Sequence, residues 1–392
     1  MLYYIGIILT FGIIFAKTFE KIGLAPILGM LVAGIIISPH QLGLVGDEIS
    51  QISGDLRQIA LVVILSRAGL SLDFEKLKKV GHPAILLSFL PATIEMLAIT
   101  YFAPKFFGID TIDGAILAAV LAAVSPAIVV PRMIRLIDEG YGRDKNIPEM
   151  ILAGASVDDV FVIVFFTSFL ALKTGGELSI QSFINIPISI GLGIGIGVMF
   201  GKILGWVLQK INVNSIYQAL IYLSGSFLLL KTQDVIENII PFSALISIMV
   251  VGMILNQENK ELGQNLLKTY SSLWSIFEVF LFVLVGIAVD LSYVREAGIL
   301  AVFLILIGLV FRMIGVNLSL IATNLNRDEK LFTSFAYLPK ATVQAAIGPV
   351  ALQMGLDSGK LILSLAVIAI LITAPLGAIL TDKTYKTLLK KS

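Results

Sequence analysis

The stretch LAGASVDDVFVIVFF, residues 152–166, sets two adjacent aspartates, Asp158 and Asp159, in the middle of an otherwise apolar run. Whether that run crosses a membrane decides the fold, and the rest of the chain says that it does. Of 392 residues, 57% are hydrophobic and only 14% are charged, with a mean hydropathy of +0.96. A soluble domain carries about 25% charge, so a water-soluble globular protein is excluded. The net charge of +1 gives no reason to expect a nucleic-acid partner. The absence of cysteine removes disulfides, thiolate metal sites and cysteine nucleophiles together. Two histidines, His40 and His82, are too few for a His-rich metal centre. No cofactor is expected.

A bilayer core about 30 Å thick takes roughly 20 apolar residues in helical form. Outward from 152–166, about thirteen such stretches are read: 2–16, 24–39, 57–71, 81–104, 113–136, 148–172, 181–208, 215–231, 238–256, 269–290, 297–322, 331–355 and 359–381. The opening MLYYIGIILTFGIIFA, 1–16, has no basic region before it and no small-residue cleavage site, so it reads as a retained helix. Orientation follows the basic residues. With the N-terminus outside, the inner loops and C-terminal tail hold eighteen of them, including Lys76, Lys78, Lys79, Arg132, Arg135, Arg143 and Lys145, and the outer loops hold six. The expected topology is N-out and C-in in a cell membrane, lipids being the surrounding partner. The tail after the last stretch is too short for a nucleotide-binding regulatory domain. In the seventh stretch Gly193, Gly197, Gly201 and Gly205 recur every fourth residue, a pattern that lets helices approach closely. GIGIGVMFGK, 193–202, lacks the frame and the Ser/Thr of a phosphate loop and is set aside.

Ionisable residues in the middle of a membrane helix are expensive and by default mark a transport path or a partner pair. Besides Asp158 and Asp159 there are Glu95 in LPATIEMLAI (90–99), Arg312 in LIGLVFRMIGV (306–316) and Lys340 in YLPKATVQAAIG (337–348). Adjacent helical residues point about 100° apart, so one aspartate can pair with a cation of the protein while the other faces a cavity. A purely structural network would balance, whereas three acids meet two bases here. The free carboxylate suits a proton or a hard metal ion, which prefers oxygen ligands. Arg67 and Glu278 lie nearer the ends of their stretches and read as snorkelling or structural charges.

The backbone is the second source of ligands. Ser125-Pro126 interrupts the fifth stretch and Pro339 the twelfth, since proline removes a helical hydrogen bond and disfavours helical geometry before it. The carbonyls of Ala122, Ala123 and Val124 are thereby freed to turn toward a cation. Stretches five and twelve are seven apart, as are four and eleven, the carriers of Glu95 and Arg312. Two proline-broken helices at matching places in two halves are the sign of inverted repeats around a midplane site. Helices 1–6 (about 1–172) and 8–13 (about 215–381) would be the repeats, linked by the helix at 181–208. Ser156, three residues before Asp159, shares its helical face and joins Ser125, Ala123 and Val124 as expected support for a cation at Asp158 and Asp159.

AVSPAIVVP (123–131), EGYG (139–142) and GASVDDV (154–160), with FRMIGV (311–316) and FAYLPKATVQAAIG (335–348), closely resemble the NHA branch of sodium/proton exchangers. These form part of the cation:proton antiporter superfamily, in the subfamily with an Asp-Asp motif. RAGLSLDFEKLKK (67–79) and LGMLVAGIIIS (28–38) fit the same branch. The resemblance implies an all-helical fold with two crossed, interrupted helices and a homodimer. It also implies a core domain (about 81–172 and 297–381) that moves like an elevator against a dimerisation domain (about 1–71 and 215–290). Carried over residue by residue, Asp159 is the main ligand for Na+ or Li+, Asp158 pairs with Arg312, and Glu95 meets the same arginine. Lys340, after the helix-breaking proline, is expected to compensate the negative ends of the crossed half-helices. Many Asp-Asp relatives carry lysine at the position of Arg312. Arginine does not release its proton, which leaves Asp159 as the carboxylate that exchanges one H+ for one Na+.

Three functions compete on these residues: antiport of Na+ or Li+ against H+, sodium-coupled symport of an organic solute, and intramembrane aspartyl proteolysis. The symporter needs donors for an organic group, and only Ser125, Ser156 and Thr342 lie at hand. The protease needs two carboxylates converging from different helices, whereas these two are adjacent and diverge. Antiport is the expected activity, and the chain is not expected to be an enzyme.

Overall fold

A computed structural model describes residues 1–71, 81–174, 180–211, 213–236 and 242–391. Among these residues every regular element is a helix, and one isolated bridge joins Tyr141 to Lys391. The α-helices in chain order are α1 (Leu2–Lys21), α2 (Pro26–Ile37), α3 (Ser50–Ser71), α4 (His82–Leu87), α5 (Leu90–Phe107), α6 (Thr111–Ala122), α7 (Pro126–Glu139), α8 (Ile147–Thr174) and α9 (Ile180–Lys210). They continue as α10 (Ser215–Ile236), α11 (Ala244–Glu258), α12 (Lys260–Ile287), α13 (Leu291–Ser319), α14 (Arg327–Ala336), α15 (Thr342–Ile347), α16 (Val350–Gln353) and α17 (Gly359–Leu388). Helix falls on each of the apolar stretches read from the sequence. Among the described residues, eight helical segments are long and apolar enough to cross a membrane, and α2 and α11 are shorter apolar helices. Lys76, Lys78 and Lys79, with most of the 67–79 motif and residues 238–241 of the ninth stretch, lie outside the described residues.

The interruptions follow from proline chemistry. Ser125, before Pro126, is extended (φ −90°, ψ 108°), as is Ala123 (φ −73°, ψ 141°), and Pro126 opens α7 where its missing N–H costs nothing. The chain also leaves the helix from Tyr337 to Ala341, around Pro339. One break was not anticipated: the fourth stretch is two helices, α4 and α5, separated at Ser88 and Phe89, with Pro91 in the first turn of α5. Proline in a first turn is a helix start rather than a kink, and periodicity alone does not separate the two.

The chain forms two compact units. The first holds the described residues within 1–54, 75–169 and 279–392. At its centre α6 is buried from Asp113 to Ala122, its alanines letting neighbours approach on all sides. Close approach is also decisive at Gly377 of α17, where a Cβ would sit 2.5 Å from Cδ of Pro339 in the second interruption. A further apolar cluster joins Met133, Leu136, Ile147, Phe332, Tyr385 and Leu389. The second unit holds the described residues within 55–74 and 170–278. There the small-residue run of α9 seats α11: added Cβ atoms at Gly197 and Gly201 would meet Val250 and Ile254 at under 3 Å, and Ser247 Oγ donates to the Gly193 carbonyl at 2.8 Å. Close packing thus accounts for Gly193, Gly197 and Gly201.

In the first unit the segment 382–391 is tied to the far end of α7. Asp382 accepts from Arg132 Nη2 at 3.0 Å and from Arg135 Nη2 at 2.7 Å. Tyr385 Oη donates to Glu139 Oε2 at 2.9 Å, and the Gly142 N–H donates to the Lys390 carbonyl at 2.8 Å. The ion cluster is partly exposed, with 34% of the Asp382 side chain accessible, so solvent screens it to about 1 kcal/mol. Leu389 is buried, and truncating a buried leucine costs about 2–4 kcal/mol. Leu389→Ala is therefore expected to lower the melting temperature of the purified protein clearly more than Asp382→Asn. Equal losses would mean that the ion cluster, not apolar packing, holds this segment.

Candidate functional site

Helix α6 ends at Ala122, and a helix end leaves its last carbonyls without intrahelical partners at the negative pole of the helix dipole. In the middle of a membrane water cannot satisfy them. Three side chains do so in succession. Lys340 Nζ donates to the Leu121 carbonyl, Arg312 Nη1 to the Ala122 carbonyl, and Gln344 Nε2 to the Ala123 carbonyl at 2.9 Å. The next two residues offer N–H groups instead. That of Val124 donates to Asp158 Oδ2 at 2.7 Å, and that of Ser125 donates to the Pro339 carbonyl at 2.8 Å. The last contact joins the two interruptions directly, so the two broken helices cross here. Ala123 thus presents its carbonyl to Gln344, and Val124 enters through its N–H.

The charges are sorted around this crossing. Arg312 of α13 is fully buried and, besides the Ala122 carbonyl at the end of α6, reaches three further elements. Its Nη1 donates to Glu95 Oε2 at 2.9 Å, its Nη2 to Asp158 Oδ2 at 3.0 Å, and its Nε to the Tyr337 carbonyl at 2.6 Å. The planar fork of a guanidinium suits this spread of acceptors, and a lysine ammonium does not match it. Lys340 is also buried and lies 2.7 Å from Glu95 Oε1, while its backbone N–H donates to Thr373 Oγ1 at 3.0 Å. Glu95 of α5 therefore lies between the two cations, one at each oxygen.

Two bases thus face two acids, Glu95 and Asp158. Asp159 remains. Among the described residues no cation lies within ion-pair distance of it, and its Oδ1 is buried without a hydrogen-bond partner. Its side chain is 6% exposed, whereas Asp158 is fully enclosed. Further buried oxygens without partners lie on the elements of the crossing: Asp158 Oδ1, Ser125 Oγ, Thr342 Oγ1 and Gln344 Oε1. Ser156 stands on α8 three residues before Asp159, and its side chain lies outside the described atoms.

Sequence reasoning named all five charges and the interrupted segment at 123–125. It did not name Gln344, Thr373 or the Tyr337 and Pro339 carbonyls as members of the site. Gln344 and Thr373 carried a usable signal: each is a polar side chain in an apolar stretch, and Gln344 is five residues from a helix-breaking proline. The carbonyls carried none, since every residue has one.

Known proteins resemble this chain in sequence and in fold. The profile of the family described as "Sodium/hydrogen exchanger, transmembrane" matches residues 6–382. Sodium/hydrogen exchanger 9B2 of Mus musculus is 32% identical over 402 aligned residues, which cover 97% of this chain and 71% of the mouse protein. The Homo sapiens 9B2 protein is 34% identical, with 94% of this chain and 70% of the relative covered. The solved structure of the sodium proton antiporter MjNhaP1 from Methanocaldococcus jannaschii at pH 8 superposes with a TM-score of 0.85. That match covers 98% of this chain and 96% of the other at 23% identity, a likeness of fold. Nearly full-length sequence similarity, a shared helical fold and buried charges around crossed helix breaks converge: this multi-pass membrane protein belongs to the transmembrane sodium/hydrogen exchanger family.

Proposed function

We propose that this chain is a secondary antiporter exchanging Na+ (or Li+) for H+, with Asp159 as the carboxylate that the two ions occupy in turn. The observation that carries this reading is the sorting of charge: Arg312 and Lys340 face Glu95 and Asp158, and among the described residues Asp159 has no counter-charge. A carboxylate enclosed without a counter-ion is unstable as a bare anion, so it holds either a proton or a metal cation. Competition for one carboxylate couples the two fluxes without any further device. Asp158, held by Arg312 and the Val124 N–H, sets a second carboxylate beside the ion. Ser125 and the backbone around Ala123 and Val124 supply neutral oxygens, with Ser156 on the Asp159 face.

The wider arrangement is part of the proposal. Thirteen spans with the N-terminus outside and the C-terminus in the cytoplasm follow the distribution of basic residues. Inverted repeats follow the matching positions of the two interruptions. A homodimer in the cell membrane, with a core domain moving as an elevator, follows the family resemblance. Because Arg312 is a fixed charge, one proton leaves for each Na+ bound, and transport moves no net charge.

Reconstituted in proteoliposomes, the wild-type protein is expected to dissipate an imposed proton gradient when Na+ is added. Asp159→Asn should abolish this and remove the Na+-dependent rise in melting temperature, since a ligand that binds only the folded form stabilises it. An Asn variant that exchanges like wild type would place the site elsewhere. Clamping the membrane potential with valinomycin and K+ should leave the exchange rate unchanged, whereas acceleration would show that net charge moves. Lys340→Gln leaves Glu95 Oε1 without its cation, and unpairing a buried charge costs about 3–5 kcal/mol. That variant is expected to lose thermal stability while its half-saturating Na+ concentration stays within about twofold of wild type.

A further inference from the structure

The orientation of Gln344 is fixed by what it touches. Its Nε2 donates to the Ala123 carbonyl at 2.9 Å, and the flipped amide would set oxygen against oxygen. Its Oε1 therefore points away from that carbonyl. The side chain is fully buried, and among the described residues Oε1 has no hydrogen-bond partner. A buried amide oxygen left so is costly, and a side chain needed only to hold the Ala123 carbonyl would not require a second polar atom.

The position of Gln344 suggests what its Oε1 serves. It lies in α15, on the element that follows the second interruption, and grips Ala123. Asp158 grips Val124, the next residue of the same extended segment. Gln344 and Asp158 thus flank one stretch of backbone from two different helices. Other buried atoms on these elements without a hydrogen-bond partner among the described residues include Ser125 Oγ, Thr342 Oγ1, Asp158 Oδ1 and Asp159 Oδ1. All are oxygens. The amide and ionised carboxylate oxygens can only accept, and a water has two protons to share among them. A hard cation takes oxygen ligands only.

Building on the antiport reading, we propose that Gln344 Oε1 is a neutral oxygen ligand for the transported alkali cation, supplied by the second interrupted helix opposite Asp159. Its amide has two tasks at once: the NH2 group holds the Ala123 carbonyl, and the oxygen faces the ion. A neutral ligand adds affinity without adding a titrating group, so it leaves the proton-to-sodium ratio alone.

Two substitutions separate the tasks. Gln344→Met keeps the length of the side chain and removes both polar atoms. Gln344→Glu keeps an oxygen in the place of Oε1 and replaces the NH2 group. The full chain is purified, and the Na+ concentration giving half-maximal thermal stabilisation is measured for wild type and both variants, alongside exchange in proteoliposomes. Met is expected to raise the half-saturating Na+ concentration about tenfold, the loss of roughly one good ligand. Glu is expected to leave it within about threefold of wild type or to lower it. If both variants raise it alike, the hydrogen bond to Ala123 is what matters and the inference falls. It also falls if Met binds Na+ like wild type. Should Met fail to fold, Glu decides alone, and a rise beyond about threefold overturns the assignment. A wild type that binds Na+ yet does not exchange it for H+ would defeat the antiport reading, leaving the ligand role to be judged from the binding curves.

Discussion

Everything at the centre of the first unit depends on one constraint, the cost of holding Arg312 away from water. A guanidinium fully enclosed in protein is tolerable only if each of its donor groups meets an acceptor and its charge meets an opposite one. Arg312 does both by drawing Glu95, Asp158 and the carbonyls of Ala122 and Tyr337 to itself. Those acceptors come from α5, α8, the end of α6 and the second interruption, so one side chain sets the distances among four elements. Lys340 extends the network through Glu95 to the Leu121 carbonyl. Asp159, outside that network, is thereby kept available.

The helix breaks and the charges belong to the same account. An unbroken helix satisfies its own backbone and has nothing to offer a neighbour or an ion. Breaking α6 from α7 exposes three carbonyls and two N–H groups inside an apolar segment of membrane-spanning length, where each must find a partner. The side chains that meet the carbonyls are two cations and an amide, as the negative end of a helix favours. The Val124 N–H meets the carboxylate of Asp158, and the Ser125 N–H meets the Pro339 carbonyl. Gly377 lets α17 pass close against Pro339, so the second break is held by packing as well as by hydrogen bonds.

The helical class, the approximate span positions, the interruptions at Ser125-Pro126 and Pro339 and all five buried charges were legible in the sequence. Each is a local property: an apolar run of membrane length, a proline inside it, or a charge in its middle. The run Gly193, Gly197 and Gly201 was legible as a close-packing stripe, though its partner α11 was not. The break between α4 and α5 went unread because Pro91 can either kink a helix or open one, and the neighbouring residues fit both. Gln344 and Thr373 were visible as polar residues in apolar stretches, yet nothing local told them from polar side chains that bond to their own helix, as Ser364 does with the Lys360 carbonyl.

The sequence by itself determined that charge would be buried in this membrane protein and that acids would outnumber bases among the five. Which acid lacked a partner was decided only by the tertiary structure. Glu95 and Arg312 are 217 positions apart in the chain, Lys340 and Leu121 are 219 apart, and Arg312 and Asp158 are 154 apart. Periodicity and composition carry information over a few helical turns, enough to say which residues must be buried. Distances between helices arise from how whole surfaces pack, and the alanines of α6 and the glycine at 377 set them. Electrostatic pairing depends on those distances within an ångström or two, so it exists only once the helices have met.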